Sequence, residues 1–301
     1  MKKLTFCVLI WAFLSSSALA QRSELGIFAG GSFYLGDLNP SGIFSQTQPA
    51  FGAVYRFNLT TRWALRANFL TGVVTADDAI SGTPERNLHF RSRVNEFSIQ
   101  AEINFLTYFT GSQNHRFSPF LFAGVGGFTF NPQARVPDAY NPLDRSGRWE
   151  DLWPLRTEGQ GAMSDGYMDF PNVYNTTQLV IPFGFGFKFS LNRTFSLGVE
   201  WGMRLTFTDF LDDVSGFYVD PAILTANSGE ALSGMMADRR LDRTTHPNPA
   251  GLQRGNSNSR DWYSFAGITL TARIGSGPGQ PCPAMQQRRA DQIRRNYMRM
   301  R

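Results

Sequence analysis

The sequence predicts an all-β fold: an eight-stranded antiparallel transmembrane β-barrel with long extracellular loops and a periplasmic C-terminal tail. Three observations predict it. Eight segments alternate apolar and polar residues with period two, and most exceed the roughly 9 to 11 residues that a tilted strand needs to cross a bilayer. The faces opposite the apolar ones are rich in Gly, Ser, Thr, Asn and Gln with a few charges of both signs, which suits a narrow polar lumen. The links alternate short and long, as periplasmic turns and outer loops do.

The clearest strands are 178–191, "QLVIPFGFGFKFSL", and 195–207, joined only by "NRT". The first sends Leu179, Ile181, Phe183, Phe185, Phe187, Phe189 and Leu191 one way and Gly184, Gly186, Lys188 and Ser190 the other. Segment 93–105 sets Phe97, Ile99, Ala101, Ile103 and Phe105 against Glu96, Ser98, Gln100, Glu102 and Asn104. Weaker alternation marks 24–36, 51–59, 63–74, 117–130 and 262–274, and 117–130 is apolar on both faces, so its orientation stays open. A soluble β-sandwich also alternates, but it exposes a charged face and uses strands of about five or six residues.

Short links fall near Thr60, at 107–116 and at 192–194, and long ones at 37–49, 75–92, 131–175 and 209–261. An even strand count puts both barrel ends in the periplasm. Rings at strand ends fit the two interfaces, with Trp63, Phe105, Tyr108 and Phe195 inside and Phe51, Phe207 and Trp262 outside. Pro182 is discordant, because it forfeits a ladder hydrogen bond, and a bulge there reconciles it.

The flanks divide the chain into 1–20, 21–275 and 276–301. Lys2 and Lys3, an apolar run and the closing Ala18-Leu19-Ala20 read as a secretory signal cut between Ala20 and Gln21. Its removal takes Cys7 and leaves Cys282 without an intrachain partner, which points to pairing between chains or a free thiol. The formal charge of +5 is carried by the tail: residues 284–301 hold six arginines, among them Arg288, Arg289, Arg294 and Arg295, and one aspartate. Such a block suits an acidic partner or anionic surface, while nucleic acid is a poor partner for an exported chain.

An eight-stranded barrel is just wide enough for its own side chains, so no wide pore is expected. Arg66 and Glu102, inward on neighbouring strands, are expected to pair, as are Glu24 and Arg273 where the barrel closes. Glu96, Glu200, Lys188 and Arg204 join the same network, since isolated buried charges are costly. Catalysis is not expected: His89, His115 and His246 are the only imidazoles, and none accompanies a nucleophile motif. No cofactor is implied. Asp209, Asp212, Asp213 and Asp220 crowd the start of the last outer loop without the spacing of an EF-hand. Solvated or loop-capping carboxylates are the default reading, with a calcium site as the alternative.

Three phrases carry a family resemblance: "TFTDFLDDVSGFY" (206–218), "LWPLRTEGQG" (152–161) and the strand "QLVIPFGFGFKFSL". With them the sequence resembles the PorG family of Bacteroidota outer-membrane proteins over most of its length; the stretch 226–260 matches nothing in it. The resemblance implies a component of the type IX secretion system, with its protein transport and gliding motility. It also implies a partner in the periplasmic ring of the lipoprotein PorK and of PorN. On that basis Cys282 is expected to form a mixed disulfide with a ring lipoprotein, beside arginines that steer an acidic surface into place. A small channel or an adhesin acting through the outer loops is the alternative.

Overall fold

The computed structural model describes residues 23–138, 147–163 and 169–274. Eight strands form a wall: β1 (Ser23–Leu35), β2 (Gln48–Asn58), β3 (Trp63–Asp77), β4 (His89–Asn104), β5 (Phe117–Thr129), β8 (Thr177–Ser190), β9 (Phe195–Thr206) and β10 (Trp262–Ile274). Two short strands, β6 (Pro132–Arg135) and β7 (Trp149–Asp151), extend the outer end of β4 within the third outer loop. All neighbours are antiparallel, β1 pairs with both β2 and β10, and β3 pairing with β4 closes the ring. Closure leaves the wall without a free edge. Ser23 and Ile274 face each other at the short-turn end. Among the described residues no helix is long and apolar enough to cross a membrane.

The wall is inside-out relative to a soluble protein. Leu25, Ile27, Phe69, Phe97, Ile99, Leu179, Phe185 and Val199 are exposed on the outside, while Glu24, Arg56, Arg66, Glu102 and Lys188 are buried within. Open apolar strands of this length suit lipid as solvent.

On β3 and β4 odd-numbered residues face out from end to end, but the apolar side passes from the outer face to the inner one part way up. Below, Phe69 and Phe97 point out and Glu96, Ser98 and Gln100 point in; above, Thr75, Arg91, Arg93 and Asn95 point out and Val74, Ala76, Phe90 and Val94 point in. These strands therefore run past the predicted ends at residues 74 and 93, and the second outer loop shrinks to residues 78–88. The reversal marks where the outside changes from lipid to water and the inside from polar lumen to loop-filled core.

Strand β5 resolves the orientation that its sequence left open: Phe120, Phe122 and Phe128 are buried inward and Leu121 and Val125 face out. The glycines of β8 and β9 make room for these rings, since a Cβ at Gly184 or Gly202 would come within 2.7 or 2.6 Å of Phe122 Cζ. Two expectations are corrected. Pro182 creates no bulge: the registers of β8 against β5 and β9 advance evenly, and the β5 ladder simply lapses beside it, between Ala123↔Phe183 and Gly126↔Val180. Tyr108 is no interfacial anchor, because its ring is 2 % exposed and lies under the Lys188 ammonium.

Candidate functional site

The lumen of the inner half holds four carboxylates, Glu24, Glu96, Glu102 and Glu200, and four bases, Arg56, Arg66, Lys188 and Arg204, all buried. Equal numbers let every charge find an opposite one in a space where an unpaired ion would be prohibitive. Glu102 is the hub. Its Oε2 accepts from Arg56 Nε at 3.1 Å, its Oε1 accepts from Lys188 Nζ, and Arg66 Nη1 lies 3.6 Å away. The shorter contact of Arg66 is to Glu200, across the lumen, at 2.8 Å. Higher up, Glu96 Oε2 accepts from Arg204 Nε at 3.0 Å and from the Tyr263 hydroxyl at 3.0 Å.

Glu24 and Arg273 are directly opposite in register, yet their side chains do not pair. Glu24 instead takes Arg56 Nη1 at 2.8 Å, with Asn58, Thr110 and Thr271 on its remaining lone pairs. Arg56 is the register partner of Glu24 on the other side and is fully buried, whereas Arg273 sits half-buried at the rim and donates to the Thr110 carbonyl at 3.3 Å. Arg56 is thus the central lumen base that sequence reasoning passed over. The signal was present, since it shares inward parity with Val54 on a segment already assigned as a strand.

Above the charges the lumen is filled with hydrocarbon. Leu38, Leu211 and Val214 from the outer loops pack against Val74, Phe90, Val94, Phe128 and Phe265 of the wall. The rings of Phe130, Tyr174 and Phe210 stack in series, with centroids 6.0 and 4.8 Å apart.

The two loop phrases of the sequence dock on each other to cap this plug. Asp213, at a left-handed φ of 64°, accepts from the hydroxyls of Thr157 at 2.5 Å and Tyr174 at 2.8 Å. Glu158 accepts from the backbone N–H groups of Ser215 and Gly216 and from Arg254 Nη1, at 2.8, 2.9 and 2.7 Å. Arg86 then binds Asp78 at 2.6 Å and donates to the carbonyls of Arg254 and Asp37, tying the second loop to the last and the first. Asp212 and Asp261 both contact the Tyr34 hydroxyl, at 2.6 and 2.7 Å. Gly36 permits this approach, as a Cβ there would meet Asp261 Oδ1 at 2.0 Å.

The aspartates are therefore not solvated. Asp212 and Asp213 are buried, and only Asp220 is a simple cap, accepting from Ala222 N at the start of helix Pro221–Ser228. Burial pushes the Asp213 carboxyl up to about 6 against the pull of Arg254, and the Asp261 carboxyl up to about 7. Burial, then the Asp261 charge, raises Asp212 well above the usual carboxylate range. The oxygens of Asp212, Asp213 and Asp261 are spent on protein donors, whereas both oxygens of Asp209 are buried without a hydrogen-bond partner, and among the described residues no group of three or more His, Cys, Asp or Glu is arranged to hold a metal. His89 Nε2 accepts from Arg135 N, while His115 sits in an inner turn and His246 in the last outer loop. Cys282, Arg288, Arg289, Arg294, Arg295 and the Ala20–Gln21 junction lie outside the described residues.

A family model described as a domain of unknown function, DUF6089, matches residues 2–144. A comparison with curated proteins finds no match. Among solved structures the chain is similar to Ail, the attachment invasion locus protein of Yersinia pestis, at 10 % identity, covering 84 % of this chain and 97 % of that one with a TM-score of 0.37. Neisserial surface protein A gives 6 % identity, 84 % and 97 % coverage and a TM-score of 0.38. The outer membrane protein OprG of Pseudomonas aeruginosa gives 12 %, 85 % and 98 %, and 0.33. The closed wall and its lipid-suited exterior make the chain an eight-stranded barrel of the outer-membrane kind by its own geometry.

Proposed function

We propose that the protein is a non-enzymatic outer-membrane component of a type IX protein secretion system that anchors the periplasmic lipoprotein ring to the membrane. One observation carries most weight: the lumen is closed twice, by a balanced charge network and by an apolar plug under interlocked loops. A barrel filled in this way is better suited to holding position than to passing solutes. Both barrel ends emerge at the short-turn face, so the basic segment that follows residue 274 starts beside whatever lies beneath the membrane. The resemblance to the PorG family supplies the identity of that partner, a ring of the PorK and PorN type. Cys282 and Arg288, Arg289, Arg294 and Arg295 are the residues assigned to the contact, the thiol as an intermolecular disulfide and the arginines as steering charges that weaken with salt.

Crosslinking and pulldown from native outer membranes is the test. Recovery of a ring lipoprotein that depends on the tail, and a reducible adduct lost in Cys282→Ser, is the expected result. Recovery unaffected by tail removal but abolished by deleting residues 131–175 points instead to a surface receptor working through its loops.

A further inference from the structure

Outside the lumen, the outward faces of β3 and β4 carry a ladder of changing chemistry. Phe69 and Phe97 lie opposite each other, both about half exposed. One step up, Thr71 donates to Asn95 at 2.8 Å and Asn95 to Thr129 at 3.3 Å, a polar row across three strands. Above that row stand Arg93, opposite Val73, and Arg91, opposite Thr75. Arg93 is exposed, and among the described residues neither arginine lies within ion-pair distance of a carboxylate.

Arg91 is held ready rather than free. Its Nε donates to Gln133 Oε1 at 3.0 Å, and its guanidinium lies 4.1 Å from the centroid of the Trp149 ring. Arg91 and Arg93 line a cleft of about 370 Å³ together with Gln48, Val73, Thr75, Gln133 and Trp149. Asp151, which accepts from Gln133 and Asn131, is the acidic group at the far edge of the same ladder.

Height decides what fills such a cleft. Four residues of strand separate Phe97 from Arg93, roughly 13 Å along the chain and about 10 Å along the membrane normal at a tilt near 40°. The headgroup layer extends roughly 5 to 8 Å beyond the hydrocarbon on each side. With Phe69 and Phe97 taken as the top of the apolar band, Arg93 and Arg91 stand at headgroup height, on the side away from Ser23 and Ile274. Guanidinium forks bind phosphate oxygens bidentately, Trp favours this interface, and Gln48, Gln133 and Thr75 offer neutral groups to hydroxyls.

We infer that this cleft binds the phosphorylated sugar headgroup of an outer-leaflet glycolipid, with Arg91 and Arg93 on the phosphate. The inference rests on the barrel spanning the outer membrane but is independent of any role in secretion. A change of chemistry along one unbroken outward row is what creates the site: Phe97, Asn95, Arg93 and Arg91 share the outward parity of β4, so the arginines stand immediately above an apolar wall.

The test is native mass spectrometry of the full chain purified from outer membranes, then titrated with a bis-phosphorylated glycolipid and with its dephosphorylated form. Wild-type protein is expected to carry the phosphorylated glycolipid and to prefer it about tenfold or more, on the order of one charge-assisted hydrogen bond. Arg91→Gln with Arg93→Gln should remove that preference while leaving the heat-dependent gel shift of the folded barrel intact; Arg93→Gln alone, which breaks no contact, should reduce it. Three results overturn the site: no preference in the wild type, equal retention in the variants, or displacement by millimolar inorganic phosphate, which identifies a free-anion site. Absence of the heat-shifting barrel from the outer-membrane fraction overturns the spanning reading itself, and the inference with it.

Discussion

Asp212 and Asp261 share one hydroxyl: Oδ2 of the first and Oδ1 of the second lie 2.6 and 2.7 Å from Oη of Tyr34. The single hydroxyl proton of Tyr34 faces two carboxyl groups, and two full negative charges around one proton in a buried site favour the acid form of one aspartate. The buried surroundings that raise both groups act in the same direction.

The first prediction follows from this shared proton. A carboxyl raised by folding binds its proton more tightly in the cap than in an unfolded chain, so the stability it contributes is complete at acid pH and is lost as pH rises. The loss should run from about pH 4 to about 6 for Asp213 and to about 7 for Asp261. Hydrogen exchange across residues 208–216, corrected for intrinsic rates, is expected to be slower at pH 5 than at pH 8. Asp261→Asn, whose amide supplies the missing donor, should flatten most of that dependence. A cap that tightens with rising pH would contradict the shared proton.

Glu102 is expected to be the most sensitive lumen position. It faces Arg56, Lys188 and Arg66 at once, so Glu102→Ala strands buried cations and should cost about 3 to 5 kcal/mol. Denaturant unfolding of the detergent-folded barrel measures it.

The choice among Arg66's two acids gives a sharper check. Arg66 hydrogen-bonds Glu200 at 2.8 Å but approaches Glu102 at 3.6 Å, where Arg56 and Lys188 already engage the carboxylate. Double-mutant cycles should give a larger coupling for Arg66 with Glu200 than with Glu102. The reverse order would mean that the hub is shared differently.

Loop interlocking predicts protease behaviour. Glu158→Ala removes the acceptor of the buried Ser215 N–H and Arg254 and of the half-buried Gly216 N–H. Such losses leave unsatisfied donors worth about 1 to 3 kcal/mol each. The last outer loop should then be cut rapidly by trypsin while the wall keeps its heat-dependent mobility. Fragment masses identify the cut sites, and an equally resistant variant would show that the loops hold together without this contact.

Closure of the lumen is measurable directly. Purified protein in planar bilayers should give no stepwise conductance, because the charged inner half and the apolar outer half must both open for ions to pass. Reproducible steps from the folded barrel would refute the plug.

The sequence by itself determined the wall of this protein: strand number, order, direction, the ends that face the short turns, and the inward parity of most of the lumen charges. Those properties are local, since period-two alternation and link length are written residue by residue, as in 178–191. Partners inside the barrel are not local. Parity places Glu24, Arg56, Arg66 and Arg273 in or beside the lumen, but which guanidinium reaches which carboxylate depends on depth and crowding across strands, and there Arg56 displaced Arg273 as the partner of Glu24. The same holds for the cap. "LWPLRTEGQG" and "TFTDFLDDVSGFY" are distinctive as text, yet only the closed barrel brings Glu158 onto the backbone of Ser215 and Gly216. Where β3 and β4 leave the membrane, the solvent on each face changes and the apolar side changes face with it. Sequence periodicity, which assumes one solvent per face, stopped at Val74 and Arg93, and the tertiary structure alone decided that the strands continue, with Arg93 and Arg91 keeping the outward parity of Phe97.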